Sequence, residues 1–186
     1  MAKVYIFLAD GFEEIEGLTV VDLLRRANID ITMVSLNPTK RVTGSHSIVT
    51  EADITFEESD YQDADLLVLP GGMPGTNTLM NHTGLDKLLK EFHAKGKSLA
   101  AICAAPTVLG QKGFLQGKNA TCYAGMEEKL LGANVIDAPV VVDGAIITSK
   151  GLGTAIDFSL SIIKHFLGEE AARKMAQQIQ YRHYNA

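Results

Sequence analysis

A chain of 186 residues, 46% of them hydrophobic, can bury a full core as one domain over residues 1–186 without disulfides or a structural metal. Its 17 basic against 22 acidic residues leave a net charge of -5, which excludes the basic stripe that nucleic-acid phosphates require. Cys103 and Cys122 are too sparse for a secreted disulfide framework, so the expectation is a reducing, cytoplasmic compartment with no membrane or nucleic-acid partner.

The first apolar run, Val4 to Ala9, is too short to span a membrane and reads as a strand rather than a signal. Leu18, Val21, Leu23, Leu24 and Ala27 then recur at helical spacing, and a second strand is expected over residues 31–36. From Val42 to Phe56 the pattern alternates among polar residues, suggesting a small hairpin or edge insertion. Residues 66–69 read as the next buried strand, followed by a helix carrying Leu85, Leu88, Leu89 and Phe92 on one face. Further strands are expected at 99–102 and 145–148, and two helices at 154–167 and 169–180 are separated by Gly168, a natural stop. Strands that are apolar throughout and joined by helices need cover on both faces. The expectation is therefore an α/β three-layer sandwich with a mostly parallel central sheet in flavodoxin-like order. No internal repeat or linker argues for a second domain.

Ligands of open parallel sheets bind beyond the carboxyl ends of the strands, so the chemistry should lie just after each apolar run. Three such places stand out: Asp10-Gly-Phe-Glu-Glu-Ile-Glu16, Pro70-Gly-Gly-Met-Pro-Gly75 and Cys103-Ala-Ala-Pro106. A nucleophile on a sharp strand-to-helix turn needs small neighbours, and Ala101 and Ala105 flank Cys103 at two positions either side. Pro106, Val108 and Leu109 then open a helix whose terminal N–H groups would favour a thiolate, so a lowered Cys103 pKa is expected. The plainer reading is a buried core thiol. Gly71 and Gly72 offer bare backbone for a close approach to a bound oxygen, or form a simple turn. Among Glu13, Glu14 and Glu16, most should serve as solvated helix-dipole partners. One facing a thiolate would be held neutral by desolvation and like charge, and spacing does not select which.

Together, Ala9-Asp-Gly-Phe-Glu-Glu-Ile-Glu16, Val68-Leu-Pro-Gly-Gly72, Ala100-Ala-Ile-Cys-Ala-Ala-Pro106 and Thr148-Ser-Lys-Gly-Leu-Gly-Thr-Ala-Ile-Asp157 resemble the DJ-1/ThiJ/PfpI superfamily, in its parkinsonism-associated deglycase branch. The resemblance covers nearly the whole chain and implies a flavodoxin-like sandwich and a homodimer. It makes Cys103 the reactive cysteine and Glu16 its protonated partner, with the Gly72 and Ala104 N–H groups holding an oxyanion or a sulfinate oxygen. No cofactor and no metal are implied, and His82, His93, His165 and His183 have no metal-ligand spacing.

Ala104 stands where protease-like members carry histidine, which removes the base for peptide hydrolysis. Tyr123 falls where many relatives have a pocket histidine, His46 where they often have an arginine, and Leu152 where a proline is common. Cys122 reads as a structural thiol in a strand beside Tyr123. Two functions compete. In the first, an enzyme acts on small reactive carbonyls, turning methylglyoxal into lactate as a glyoxalase III does, or acting on early glycation adducts as a deglycase. In the second, a non-enzymatic sensor or stress chaperone is switched by oxidation of Cys103 to sulfinate. A Walker lysine, a late His-x-Glu pair and an acidic acceptor after the third main strand are all missing, which sets aside phosphate-binding, amidotransferase and response-regulator roles.

Overall fold

The computed structural model describes residues 2–184. Its chain order is β1 (Lys3–Leu8), α1 (Glu14–Arg26), β2 (Asp30–Ser35), β3 (Arg41–Thr43), β4 (Val49–Glu51), β5 (Ile54–Thr55), β6 (Leu66–Leu69), α2 (Gly75–Asn81) and α3 (Thr83–Ala94). There follow β7 (Ser98–Ile102), α4 (Pro106–Gln111), β8 (Asn119–Ala120), β9 (Asn134–Val135), β10 (Val140–Asp143), β11 (Ile146–Ser149), α5 (Ala155–Leu167) and α6 (Glu169–Gln178).

The main sheet runs β10-β11-β7-β6-β1-β2-β5, parallel throughout except that β10 pairs antiparallel with β11. Leaving out the edge strands β5 and β10, the order is that of a flavodoxin-like fold, with β1 and β6 adjacent where the winding reverses. Successive side chains of β1 explain the layers. Val4, Ile6 and Leu8 join Leu24 of α1, Phe158 of α5 and Met175 of α6 on one face. Tyr5 and Phe7 join Leu89 and Phe92 of α3 and Leu109 of α4 on the other. Phe7, Phe12 and Phe158 are fully buried, and truncating such a ring to alanine costs about 3–5 kcal/mol.

The expected strands lie within a residue of the observed ones, and Gly168 takes φ +84° between α5 and α6, a conformation that a side chain disfavours. Residues 42–56 form both a hairpin and an edge insertion: β3 and β4 pair with each other, and β5 adds to the main sheet beside β2. Cys122 is not in a strand, because the ladder of β8 ends at Ala120 and the thiol sits in the following loop. No helix among the described residues is long and apolar enough to cross a membrane.

Candidate active site

Cys103 sits between β7 and α4 at φ +65°, the left-handed region that costs a non-glycine residue about 1–3 kcal/mol and survives only where neighbours hold it. Its N–H donates to the Ser149 carbonyl at 2.9 Å, and its own carbonyl accepts the Tyr123 N–H at 2.8 Å. Ala101, Ala104 and Ala105 are buried around it, so small side chains let the turn close. Pro106 takes the first turn of α4, where its missing N–H costs nothing.

Glu16 arrives from the first turn of α1 and is buried. One carboxyl oxygen accepts the Gly71 N–H at 2.9 Å, and the Cys103 thiol and the Leu152 N–H, facing the same group, favour its charged form. A Cβ added at Gly71 would stand 2.5 Å from Cys103 Cβ, 2.6 Å from Glu16 Oε2 and 3.0 Å from Cys103 Sγ, so only glycine leaves room for the pair. The loops beneath interlock in the same way. Added Cβ atoms would stand 2.3 Å from the Glu13 nitrogen at Gly72, 2.8 Å from the Phe12 nitrogen at Gly75, and 2.6 Å from the Pro74 nitrogen at Gly11.

Burial pushes the Glu16 carboxyl up to about 7, against the opposing bonds from Cys103, Gly71 and Leu152. The expected lowering of the Cys103 pKa is not observed. Burial first, then the Glu16 charge and hydrogen bond, push the thiol up to about 12, while the Ala104 and Gly72 N–H groups pull it down. Those two N–H groups are the ones expected from the sequence. They are outweighed because the sulfur is largely removed from water beside an acid, and because α4 has only six residues to sum a dipole.

Residues 2–165 match the DJ-1/PfpI family. The chain belongs to that family. It is 41% identical to protein DJ-1alpha of Drosophila melanogaster over 92% of this chain and 81% of the fly protein. To protein DJ-1 homolog B of Arabidopsis thaliana it is 40% identical over 91% of its own length but only 39% of the plant protein's. A protein named deglycase from Pyrococcus abyssi is 31% identical over 87% of this chain and 98% of the archaeal one. Among solved structures, oxidised Toxoplasma gondii DJ-1 superposes with a TM-score of 0.94 at 34% identity, covering 98% of this chain and all of that one.

In this DJ-1/PfpI protein the first, third and fourth main strands bring Glu16, Gly71, Gly72, Cys103 and Ala104 together as the sequence suggested. Tyr123 stands at the rim, half exposed, its ring 3.4 Å from where a Gly151 Cβ would lie. His46 is not joined to Cys103. Its Nδ1 lies 3.0 Å from Glu14 Oε2 and 3.6 Å from Glu13 Oε1, and the Glu14 hydrogen bond, then the Glu13 and Glu14 charges, raise its pKa. Glu13, Glu14 and His46 thus offer ligand atoms within 4.8 Å of one another, but Glu14 is already occupied with hairpin donors. Sequence reading left two features out: the burial of Glu14 and the approach of Gly151 and Leu152 to the pair. The second was findable, because Lys150-Gly-Leu-Gly-Thr154 also follows a strand end. A cleft of about 630 Å³ lies elsewhere, along α1, lined by Ile15, Leu18, Ile48, Ile156 and Ile179 among others.

Proposed function

We propose that this protein is a cofactor-independent enzyme that uses Cys103 to convert small α-oxoaldehydes into 2-hydroxy acids, methylglyoxal into lactate, with early glycation adducts as further substrates of the same thiohemiacetal chemistry. The observation that carries the reading is the joint placement of the Glu16 carboxyl and the Gly72 and Ala104 N–H groups on one sulfur at a left-handed elbow. With one proton shared by the pair, the reactive form carries it on Glu16 and the charge on sulfur. The thiolate attacks the aldehyde carbon, and Glu16 gives its proton to the new alkoxide, completing a thiohemiacetal. The Glu16 carboxylate then takes the hydrogen of that carbon and passes it to the ketone oxygen, giving an enediol, whose other hydroxyl returns its proton through Glu16 to the neighbouring carbon to leave a hydroxyacyl thioester. Water cleaves the thioester, releasing the acid and returning the thiol, so the net reaction adds one water. A carboxyl with a pKa of about 7 suits both directions of proton transfer near neutrality. The deglycase name of the archaeal relative supports a reaction of this class.

The oxidised state named for the Toxoplasma structure favours a second reading, in which peroxide converts Cys103 to sulfinate and the same N–H groups hold its oxygens. Chiral detection of lactate from methylglyoxal, with wild type, Cys103→Ser and Glu16→Gln in parallel, separates the two. Turnover by wild type alone is expected. Equal rates in wild type and either variant would end the enzyme reading. Two free cysteines fit a cytoplasmic, reducing setting. We further propose a homodimer through the apolar cleft along α1, where Ile15 and Ile48 are half exposed. Light scattering of wild type giving a monomer mass at micromolar concentration would remove it.

A further inference from the structure

One buried polar cluster beside the site has no part in the steps above. Ser149, at the end of β11, is fully buried. Its hydroxyl donates to the Pro139 carbonyl at 2.8 Å and lies 2.7 Å from Thr154 Oγ1. Thr154 Oγ1 in turn accepts the Gly151 N–H at 3.1 Å and lies 2.9 Å from the Gly151 carbonyl. The main-chain carbonyl of Ser149 meanwhile receives the Cys103 N–H. A single residue thus grips the nucleophile's turn through its backbone and the 151–154 strap through its side chain. The strap reaches both reacting groups: a Cβ at Gly151 would stand 3.7 Å from Glu16 Oε1 and 3.9 Å from Cys103 Sγ, and the next N–H, that of Leu152, favours the Glu16 carboxylate.

We propose that Ser149 and Thr154 are positioning residues, whose hydroxyl contact fixes the strap against Glu16 and Cys103 and so sets how readily that pair gives up its first proton. The proposal rests on that pair being the reactive centre. The groups facing Glu16 are the Cys103 thiol from the elbow, Glu13 from the loop before α1, and the N–H groups of Gly71 and Leu152. Of these, only the Leu152 donor depends on the strap. Loosening the strap draws that N–H away from a carboxylate it favours, so the first proton is held more tightly.

The test is the pH dependence of Cys103 alkylation by iodoacetamide, resolved by peptide mass, for wild type, Thr154→Val, Thr154→Ser and Ser149→Ala. Loss of either hydroxyl is expected to move the midpoint up by about 0.5–1 pH unit, while Thr154→Ser keeps the wild-type value. Wild-type midpoints in both Thr154→Val and Ser149→Ala, with circular dichroism unchanged, would overturn the proposal. The two deletions reach the same contact from opposite sides, so a folding defect in one leaves the other to decide. Alkylation needs no turnover. Failure of wild type to make lactate would therefore sink the enzyme reading and leave this midpoint shift measurable.

Discussion

Glu14 and Glu16 lie two positions apart on one helix and are 3% and 1% exposed, yet their acidities move in opposite directions. Glu14 falls to about 2 despite burial, because its own N–H and then, from the β3–β4 hairpin, the His46 ring and the His46 and Ile48 N–H groups, with the Ser45 hydroxyl close by, converge on its carboxylate. Glu16 rises to about 7 because burial, helped by the Glu13 charge, outweighs the fewer donors it meets at Cys103, Gly71 and Leu152. Burial alone does not decide the charge of an acid; the number of N–H and O–H groups aimed at it does. One carboxylate fastens the hairpin to α1, and its neighbour is left free to trade a proton.

The sharpest way to break this contrast is to remove the tradable proton. Glu16→Gln should cut lactate formation at least about 100-fold. The same change should raise the melting temperature at pH 8 by roughly 5 °C. The sign follows from the raised pKa: Glu16 ionises at about 4.5 when unfolded and about 7 when folded, so wild type loses stability as pH rises through that window, and glutamine does not. The gain should therefore vanish below about pH 4, as differential scanning calorimetry across pH will record. Gly71→Ala comes next, since its methyl would meet Glu16 Oε2 and Cys103 Cβ. Overpacking there should cost about 1–3 kcal/mol by urea denaturation and slow Cys103 alkylation at a fixed pH.

Glu14→Gln sharpens the comparison from the other side. Its loss should lower stability by about 2 kcal/mol at neutral pH. The depressed pKa makes this stabilisation complete above about 4.5 and progressively lost as pH falls through about 2, the reverse of Glu16. The smallest effect is expected at His46, which is exposed and raised by Glu14 and Glu13. Its contribution is present below the unfolded value near 6.5 and fades as pH rises through the folded one. A ring titration by NMR should give a midpoint above 6.5, and His46→Gln should barely change melting.

Much of this arrangement was readable in the residues. Val4 to Leu8 and Leu66 to Leu69 announce buried parallel strands because every position is apolar, and the Ala-Ile-Cys-Ala-Ala run points to an elbow because small residues stand two positions either side of the cysteine. The edge strand β10 was less legible: Val140 to Asp143 is buried only at Val141, and its pairing depends on Ile146 to Ser149 lying opposite. The contrast between Glu14 and Glu16 was not legible at all, since it depends on how the packed fold buries Glu16 and on hairpin donors at residues 46 and 48 that reach Glu14. The thiol expectation failed for a related reason. A helix terminus is visible in sequence, whereas the desolvation that overrides it is a property of the packed fold.

The interlocked glycines at positions 11, 72 and 75 carry a practical lesson for anyone redesigning the surroundings of Cys103. Each loop's main chain fills the space where the other's side chains would be, so a library diversified there would mostly yield collapsed clones. Diversity belongs instead at Tyr123 and Leu152, which are largely open to solvent at the rim and can vary while the floor stays as it is.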